Sequence, residues 1–481
     1  MSLKKTILTN TAWLTASRLI NSIIGYILIV AIARNLGDVG LGQYSFAFAF
    51  ASVFFLIVNF GLNVIILKDV ARNQKKAEEF IRNIIGIKLS LGLIVLFIIS
   101  IYAWFFNDNK ILQLSLIFAA FIQFISIFSG IFIAYFESNN QMQYGSFASF
   151  CERIIALILG VFILFKTKSL PYFILVLLIS NLSQFIILTV FIMKRINILP
   201  LFNIEKWKKL ATKALPYFFI ASFTFIIFRI DTIMLSLMVN NEVTGWYNAA
   251  YKLIDTLNII PGLLMVALLP SMSKLFVENK SLLRQLFLRI FRYIFTLILP
   301  IVLATTLLAD RFIFFIYGRS FVGSTISLQV LIWSELFLFL NLIMGNLLNS
   351  IDEQKRFSII MMIGAIFNII LNLIFIPLYS YKAAAFTTVF TMALNFILMY
   401  YYINKNFIKI KFKLYYLKVI ISALVMVASL KYILFLPILI IVPIGATIYL
   451  LMLLILGLEK EDKILFKEFL VTGKNVFRKR V

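Results

Sequence analysis

Over nearly its whole length the sequence is divided into apolar runs of roughly twenty residues, separated by short polar stretches. A helix of about twenty residues, at about 1.5 Å per residue, crosses the hydrocarbon core of a bilayer. Within that core only a helix or a closed barrel satisfies its own backbone. Barrel strands are about ten residues long and alternate in polarity, which these runs do not. The chain is therefore an all-α polytopic membrane protein. The runs lie near 13–33, 44–67, 84–106, 111–136, 147–165 and 171–193, then near 214–239, 247–270, 288–309, 325–349, 357–378 and 382–403, with a final pair near 414–434 and 438–458, which makes 14 spans. Composition agrees, since 62% of the 481 residues are hydrophobic and 14% charged, against about 45–50% and about 25% in soluble chains. The first run follows Lys4 and Lys5 and, being longer than a cleaved signal, reads as a retained signal anchor.

The formal net charge is +25. The cations sit in loops between apolar runs, which argues against nucleic acid as a partner. Counted by alternate loops, 32 Lys and Arg fall on the side of the N-terminus and 8 on the other. Cations resist translocation, so both termini are expected on the cytoplasmic side of the cytoplasmic membrane. The chain has no histidine and one cysteine, Cys151. This excludes internal disulfides, clustered Cys/His metal sites and histidine acid–base chemistry. No catalytic residue, metal ligand or cofactor is assigned. The loops are too short to hold a separate catalytic domain.

A basic linker from Lys194 to Lys213 separates two groups of six spans. The expected organisation is an N-terminal lobe over 1–200, a C-terminal lobe over 201–404, and an additional helix pair with a basic cytoplasmic tail over 405–481. Gly42-Gln43-Tyr44 opens the second span and Gly245-Trp246-Tyr247 the eighth, an offset of 203 residues. Asn140 to Tyr144 and Glu353 to Phe357 are similarly matched. Two halves around a midplane site are a common transporter design.

Charged residues inside spans cost about 2.5–3.5 kcal/mol each on insertion scales, so each requires a partner, water or a nearby end. Arg229 lies about 15 Å and Asp255 about 12 Å from the outer ends of neighbouring antiparallel spans, so the two are expected to meet. Asp231 is expected to pair likewise with Lys252. Lys88, Glu152 and Arg153 lie near cytoplasmic ends and read as snorkelling side chains. Arg18, Arg229 and Lys252 are candidate anion-binding residues, because a phosphate in a low-dielectric cavity gains strongly from cationic partners. Asn59, Asn63 and Asn248, with Ser22 and Ser222, mark a wet face. Asp231, Asp255 and Glu335 are candidates for ion coupling or salt bridges.

Together Ala33-Arg34-Asn35-Leu36-Gly37, Gly40-Leu41-Gly42-Gln43-Tyr44-Ser45, Asn59-Phe60-Gly61-Leu62-Asn63, Lys68 with Ala71-Arg72, and Arg229-Ile230-Asp231 through Tyr251 carry a resemblance. The chain resembles the polysaccharide flippases of the multidrug/oligosaccharidyl-lipid/polysaccharide exporter superfamily. The resemblance implies two six-helix lobes around a cationic cavity formed mainly by spans 1, 2, 7 and 8, facing each side alternately. It implies a polyisoprenoid-(pyro)phosphate-linked oligosaccharide as cargo, with Arg18 and Arg229 on the pyrophosphate and the prenyl tail toward lipid. Other polysaccharide-assembly membrane proteins are the implied partners, and the task needs no bond chemistry. Two related activities compete. A multidrug/cation antiporter wants acidic residues in the first lobe, where the first span has Arg18 and no carboxylate. A lipid II flippase shares the fourteen spans and cationic cavity. A glycosyltransferase, ligase or polymerase would need a large outer loop with catalytic carboxylates or histidine, and this chain has neither.

Overall fold

A computed structural model describes the backbone of residues 3–70, 73–410 and 414–456. Ala71, Arg72 and the basic tail after 456 lie outside the described residues, as does the side chain of Arg18. Eleven described segments are long and apolar enough to cross a membrane. Two of these are double spans, and a bent helix adds the last of the expected fourteen.

Helices α1 and α2 are the arms of Leu3–Asn59, parted at Gly37. The expected loop from 34 to 43 is thus a one-residue break, because φ 71° with ψ −168° at Gly37 is a conformation open essentially to glycine alone. Next come α3 (Ala77–Phe105), α4 (Lys110–Ser138), α5 (Met142–Thr167) and α6 (Leu170–Met193). Then follow α7 (Ile204–Met238) and α8, which runs as Asn241–Leu257 and, past a bend at Asn258, as Ile259–Glu278. Pro261 causes the bend, since it has no N–H to donate to Leu257 and its ring crowds that carbonyl. Helices α9 (Lys280–Ile316) and α10 (Ser324–Ser350) precede α11 and α12, the arms of Gln354–Asn406 parted at Ser380. The chain closes with α13 (Leu414–Tyr432) and α14 (Ile438–Ile455).

The second span departs from expectation at its basic end. Phe60 and Gly61 take φ 43° and 70°, so the run read as one helix to 67 breaks after Asn59 and resumes as one turn, Leu62–Ile65. A methyl on Gly61 would come within 2.7 Å of Tyr217 Cβ; the break lets α2 approach α7 closely.

One apolar cluster, around Phe55, Ile81, Leu116 and Phe132, packs the first lobe; a second, around Tyr247, Phe291, Leu331 and Phe339, packs the second lobe and runs across to Ile29, Ile32 and Phe173 of the first. Helices α13 and α14 pack on α9 through Leu299, Leu308, Val419 and Met426. Large apolar side chains such as Phe97, Phe162 and Phe375 stay exposed, as a lipid-facing surface requires. Side-chain amides add hydrogen bonds between spans, with Gln123 donating to Ser52 at 2.7 Å and Gln184 to Ser149 at 2.8 Å.

The paired motifs have matching geometry. Asn140 and Asp352 both take left-handed φ after α4 and α10, and Gln141 and Glu353 both donate their N–H groups back five residues, at 2.8 Å in each case. This is the Schellman ending, in which a left-handed residue lets orphan carbonyls be satisfied. The other pair meets in space. On the side opposite the basic loops, a methyl on Gly42 would overlap the Asn241 carbonyl, and a methyl on Gly245 the Asp38 carbonyl. Asp38 and Asn241 are themselves offset by 203 residues, so the contact is reciprocal. Around it, Trp246 Nε1 donates to Asp38 Oδ2 at 2.9 Å, and Arg34 donates to the carbonyls of Ile316 and Phe315 at 2.8 and 2.6 Å. Gly42→Val is expected to open this far-side contact. In a Cys151→Ser background, labelling of Ser45→Cys by a membrane-impermeant maleimide from that side should rise; unchanged labelling would contradict the close packing.

Candidate functional site

Three helices bring charge to the space between the lobes. On α8, Asn248, Lys252 and Asp255 recur at i, i+4 and i+7 and share one face. The antiparallel α7 carries Arg229 at similar depth. Its Nη2 lies 3.2 Å from Asp255 Oδ2, and Lys252 Nζ lies 3.4 Å from the same oxygen. The expected Arg229–Asp255 pair is present. The Arg229 guanidinium also lies 5.6 Å from the Tyr251 ring centre. The side chains of Arg229, Lys252 and Asp255 are 33%, 30% and 26% exposed. An incoming anion can therefore reach Arg229 and Lys252, where it competes with Asp255 for them.

The charges line two adjoining compartments. One, of about 240 Å³, lies among Ser45 and Phe48 of α2, Arg229 and Thr232 of α7, and Asn248 and Lys252 of α8. The other, of about 450 Å³, lies among Asn21, Ser22 and Tyr26 of α1, Arg153 of α5, and Lys252 and Asp255 of α8. Ile29, Tyr44 and Lys252 border both. Asn248 is buried on the wall, where it accepts from Thr232 at 3.1 Å and donates to the Thr244 carbonyl at 2.9 Å.

Other predicted residues lie elsewhere. Asn59 and Asn63 accept from Lys88 Nζ at 3.0 and 2.8 Å, and the Ile127 carbonyl lies 3.5 Å from that nitrogen. Lys88 is wholly buried and does not snorkel, its three donors being met by three oxygens. Asp231 does not pair with Lys252. It is 1% exposed and accepts from Asn372 at 2.5 Å, Tyr247 at 2.6 Å and Thr388 at 2.7 Å, tying α7, α8, α11 and α12 together. Asn372 continues the network to Asn368 at 3.1 Å and receives Thr387. Glu335 is buried on α10, where Asn258, at the bend of α8, lies 3.4 Å from Oε1 while Oε2 has no partner.

The apolar run from 147 puts Arg153 at a membrane edge; the structure puts it on the larger compartment. Helix α5 starts at Met142 rather than 147, so Arg153 lies about 16 Å from its beginning, near mid-helix. A signal was present, because Ser146, Ser149 and Arg153 form an i, i+3, i+7 polar stripe.

Fold and cavity together define a two-lobed, multi-pass membrane transporter. The chain belongs to the polysaccharide biosynthesis protein family, whose model matches residues 7–276, more than half of it. It is 19% identical over 407 residues to the capsular polysaccharide biosynthesis protein CapF of Staphylococcus aureus, covering 83% of this chain and 99% of that one. It is 26% identical over 166 residues to the uncharacterized membrane protein MJ1068 of Methanocaldococcus jannaschii; the match covers 34% of this chain and spans only 33% of that protein. Among solved structures it is similar to the lipid II flippase MurJ in an inward closed conformation, with TM-score 0.77, 16% identity, and coverage of 95% of this chain and 99% of that one. It is also similar to an inward-facing multidrug resistance transporter of the MATE family, with TM-score 0.64, 15% identity, and coverage of 81% and 98%. At these identities the structural likeness concerns the fold. Family membership makes the chain a transporter of the flippase and exporter class, not an enzyme.

The Asp231 network carries a stability prediction. Asp231→Ala removes the acceptor shared by Tyr247, Thr388 and Asn372, although Thr388 can turn to the Ala384 carbonyl, Tyr247 to the Thr388 hydroxyl, and Asn372 keeps Asn368; it should lower the unfolding temperature of the detergent-solubilised protein. Asp231→Asn keeps one acceptor and should lower it less; an alanine variant as stable as the parent would contradict the network.

Proposed function

We propose that the protein moves a polyisoprenoid-(pyro)phosphate-linked oligosaccharide across the cytoplasmic membrane by alternating access, with both termini cytoplasmic, for surface polysaccharide assembly. The observation carrying this reading is the cavity between the lobes, where, among the described residues, Arg153, Arg229 and Lys252 face a single lining carboxylate, Asp255. A cavity with excess positive charge suits an anionic headgroup. The family match and the similarity to CapF across 99% of its length favour a polysaccharide precursor as cargo. The similarity in fold to MurJ over 95% of this chain keeps lipid II as the alternative, which differs in the saccharide and keeps the headgroup chemistry.

The carboxylates divide by environment. Asp255 is an ion-pair partner within the cavity. Asp231 already accepts from Tyr247, Asn372 and Thr388, so coupling through it would exchange those hydrogen bonds for a cation or a proton. Glu335, with one unpartnered oxygen, suits a proton. Asp231 and Glu335 are the coupling candidates in this account.

The test is complementation in cells lacking their own polysaccharide flippase, with expression checked for each variant. The parent should restore surface polysaccharide, Arg229→Ala should reduce it to background, and Arg229→Ala/Asp255→Ala should not recover it. Recovery in the double variant would show that the pair is structural, and drug efflux without polysaccharide export would replace the flippase reading with the antiporter.

A further inference from the structure

The cavity cations are not equivalent. Arg229 and Lys252 share one oxygen of Asp255, and Arg229 is held further against Tyr251. Arg153 has no such commitment. Among the described residues no carboxylate lies within ion-pair distance of it, the neighbouring Glu152 included, and its Nε is buried without a hydrogen-bond partner. That nitrogen is closed to the compartment, so a ligand oxygen would be met by the terminal nitrogens of the guanidinium, which borders the larger compartment. The helix bearing Arg153 is fixed one turn away, where Ser149 accepts from Gln184 of α6 at 2.8 Å. The guanidinium is thus preorganised on a rigid element.

We propose that Arg153 and Lys252, across the larger compartment, form the subsite for the phosphate or diphosphate of the lipid-linked substrate. Arg229 and Asp255 form the neighbouring wall. The inference rests on the flippase reading and deepens it by assigning the headgroup to the α5 side. Three cations against one carboxylate leave an excess of two positive charges, matching the two negative charges of a diphosphate diester. The saccharide then falls in the smaller compartment, where Tyr44, Phe48 and Phe225 offer aromatic faces and Ser45 a hydroxyl. Lys252, bordering both compartments, sits where the two parts of the ligand join.

The experiment measures binding to the purified full-length protein by native mass spectrometry, with geranylgeranyl diphosphate, neutral geranylgeraniol and inorganic pyrophosphate as probes. Arg153→Gln should weaken the prenyl diphosphate about 10- to 100-fold, the loss of one hydrogen bond to a charged group, and leave the neutral alcohol unchanged. Arg153→Lys should fall between the parent and Arg153→Gln, because a point charge replaces a planar fork. Equal weakening of diphosphate and alcohol would make Arg153 structural and overturn the assignment. Unchanged diphosphate binding in Arg153→Gln, with a loss in Lys252→Gln, would overturn the Arg153 subsite while the anionic cavity stood. A parent protein binding the diphosphate no better than the alcohol would overturn the flippase reading itself. Inorganic pyrophosphate bound as tightly, with the same dependence on Arg153, would overturn the lipid assignment in favour of a free anion.

Discussion

Arg229, Lys252 and Asp255 place three charges at a depth where the surroundings of the protein are hydrocarbon. Such groups persist only where water, a partner or a ligand replaces the lost hydration, and here all three remain partly exposed to a cavity. At this depth a polar chamber therefore remains beside the apolar packing of α1 on α8. Helix α8 bends at Asn258, and α1 and α2 turn on a single glycine. Around these features the fold keeps a polar chamber between two apolar bundles.

Buried charge is handled in two ways, which separates the rigid parts of the molecule from the adaptable ones. Lys88 and Asp231 are saturated, each enclosed by three hydrogen-bonding partners inside one lobe. Fully satisfied networks rigidify what they join. The cavity charges are unsaturated, with two cations sharing one carboxylate oxygen and Arg153 holding an unused donor. On the far side the lobes meet through glycine against carbonyl in a reciprocal contact, and Ile32, Ala33 and Leu41 of α1 and α2 also pack with Val243 and Tyr247 of α8 in one apolar cluster.

The spans were legible because lipid leaves the backbone no alternative to a helix, so twenty-residue apolar runs carry the fold. The Arg229–Asp255 pair was legible too, since two antiparallel neighbours set both depths. Lys88 and Arg153 were not, for one physical reason: hydropathy marks where a helix becomes apolar, not where it begins. Helices α3 and α5 start at Ala77 and Met142, several residues before their apolar runs, so both cations sit deeper than their distance from the run suggested. Depth also says nothing of direction. Asn59 and Asn63 face Lys88 rather than the chamber, and the break between them at Phe60, a positive φ at phenylalanine, has no sequence signature. Asp231, two residues from Arg229, was legible as a membrane charge, but its partners come from α8, α11 and α12, and no pattern along α7 identifies them.

The central claim is that the cations between the lobes hold the anionic headgroup of a lipid-linked sugar. A cryo-electron microscopy map of the full-length protein in lipid nanodiscs with a polyprenyl diphosphate-linked saccharide tests it most directly. The account predicts headgroup density in the chamber, touching Lys252, with the saccharide toward α7. Density confined to the membrane face of the protein, with the chamber empty, would contradict it.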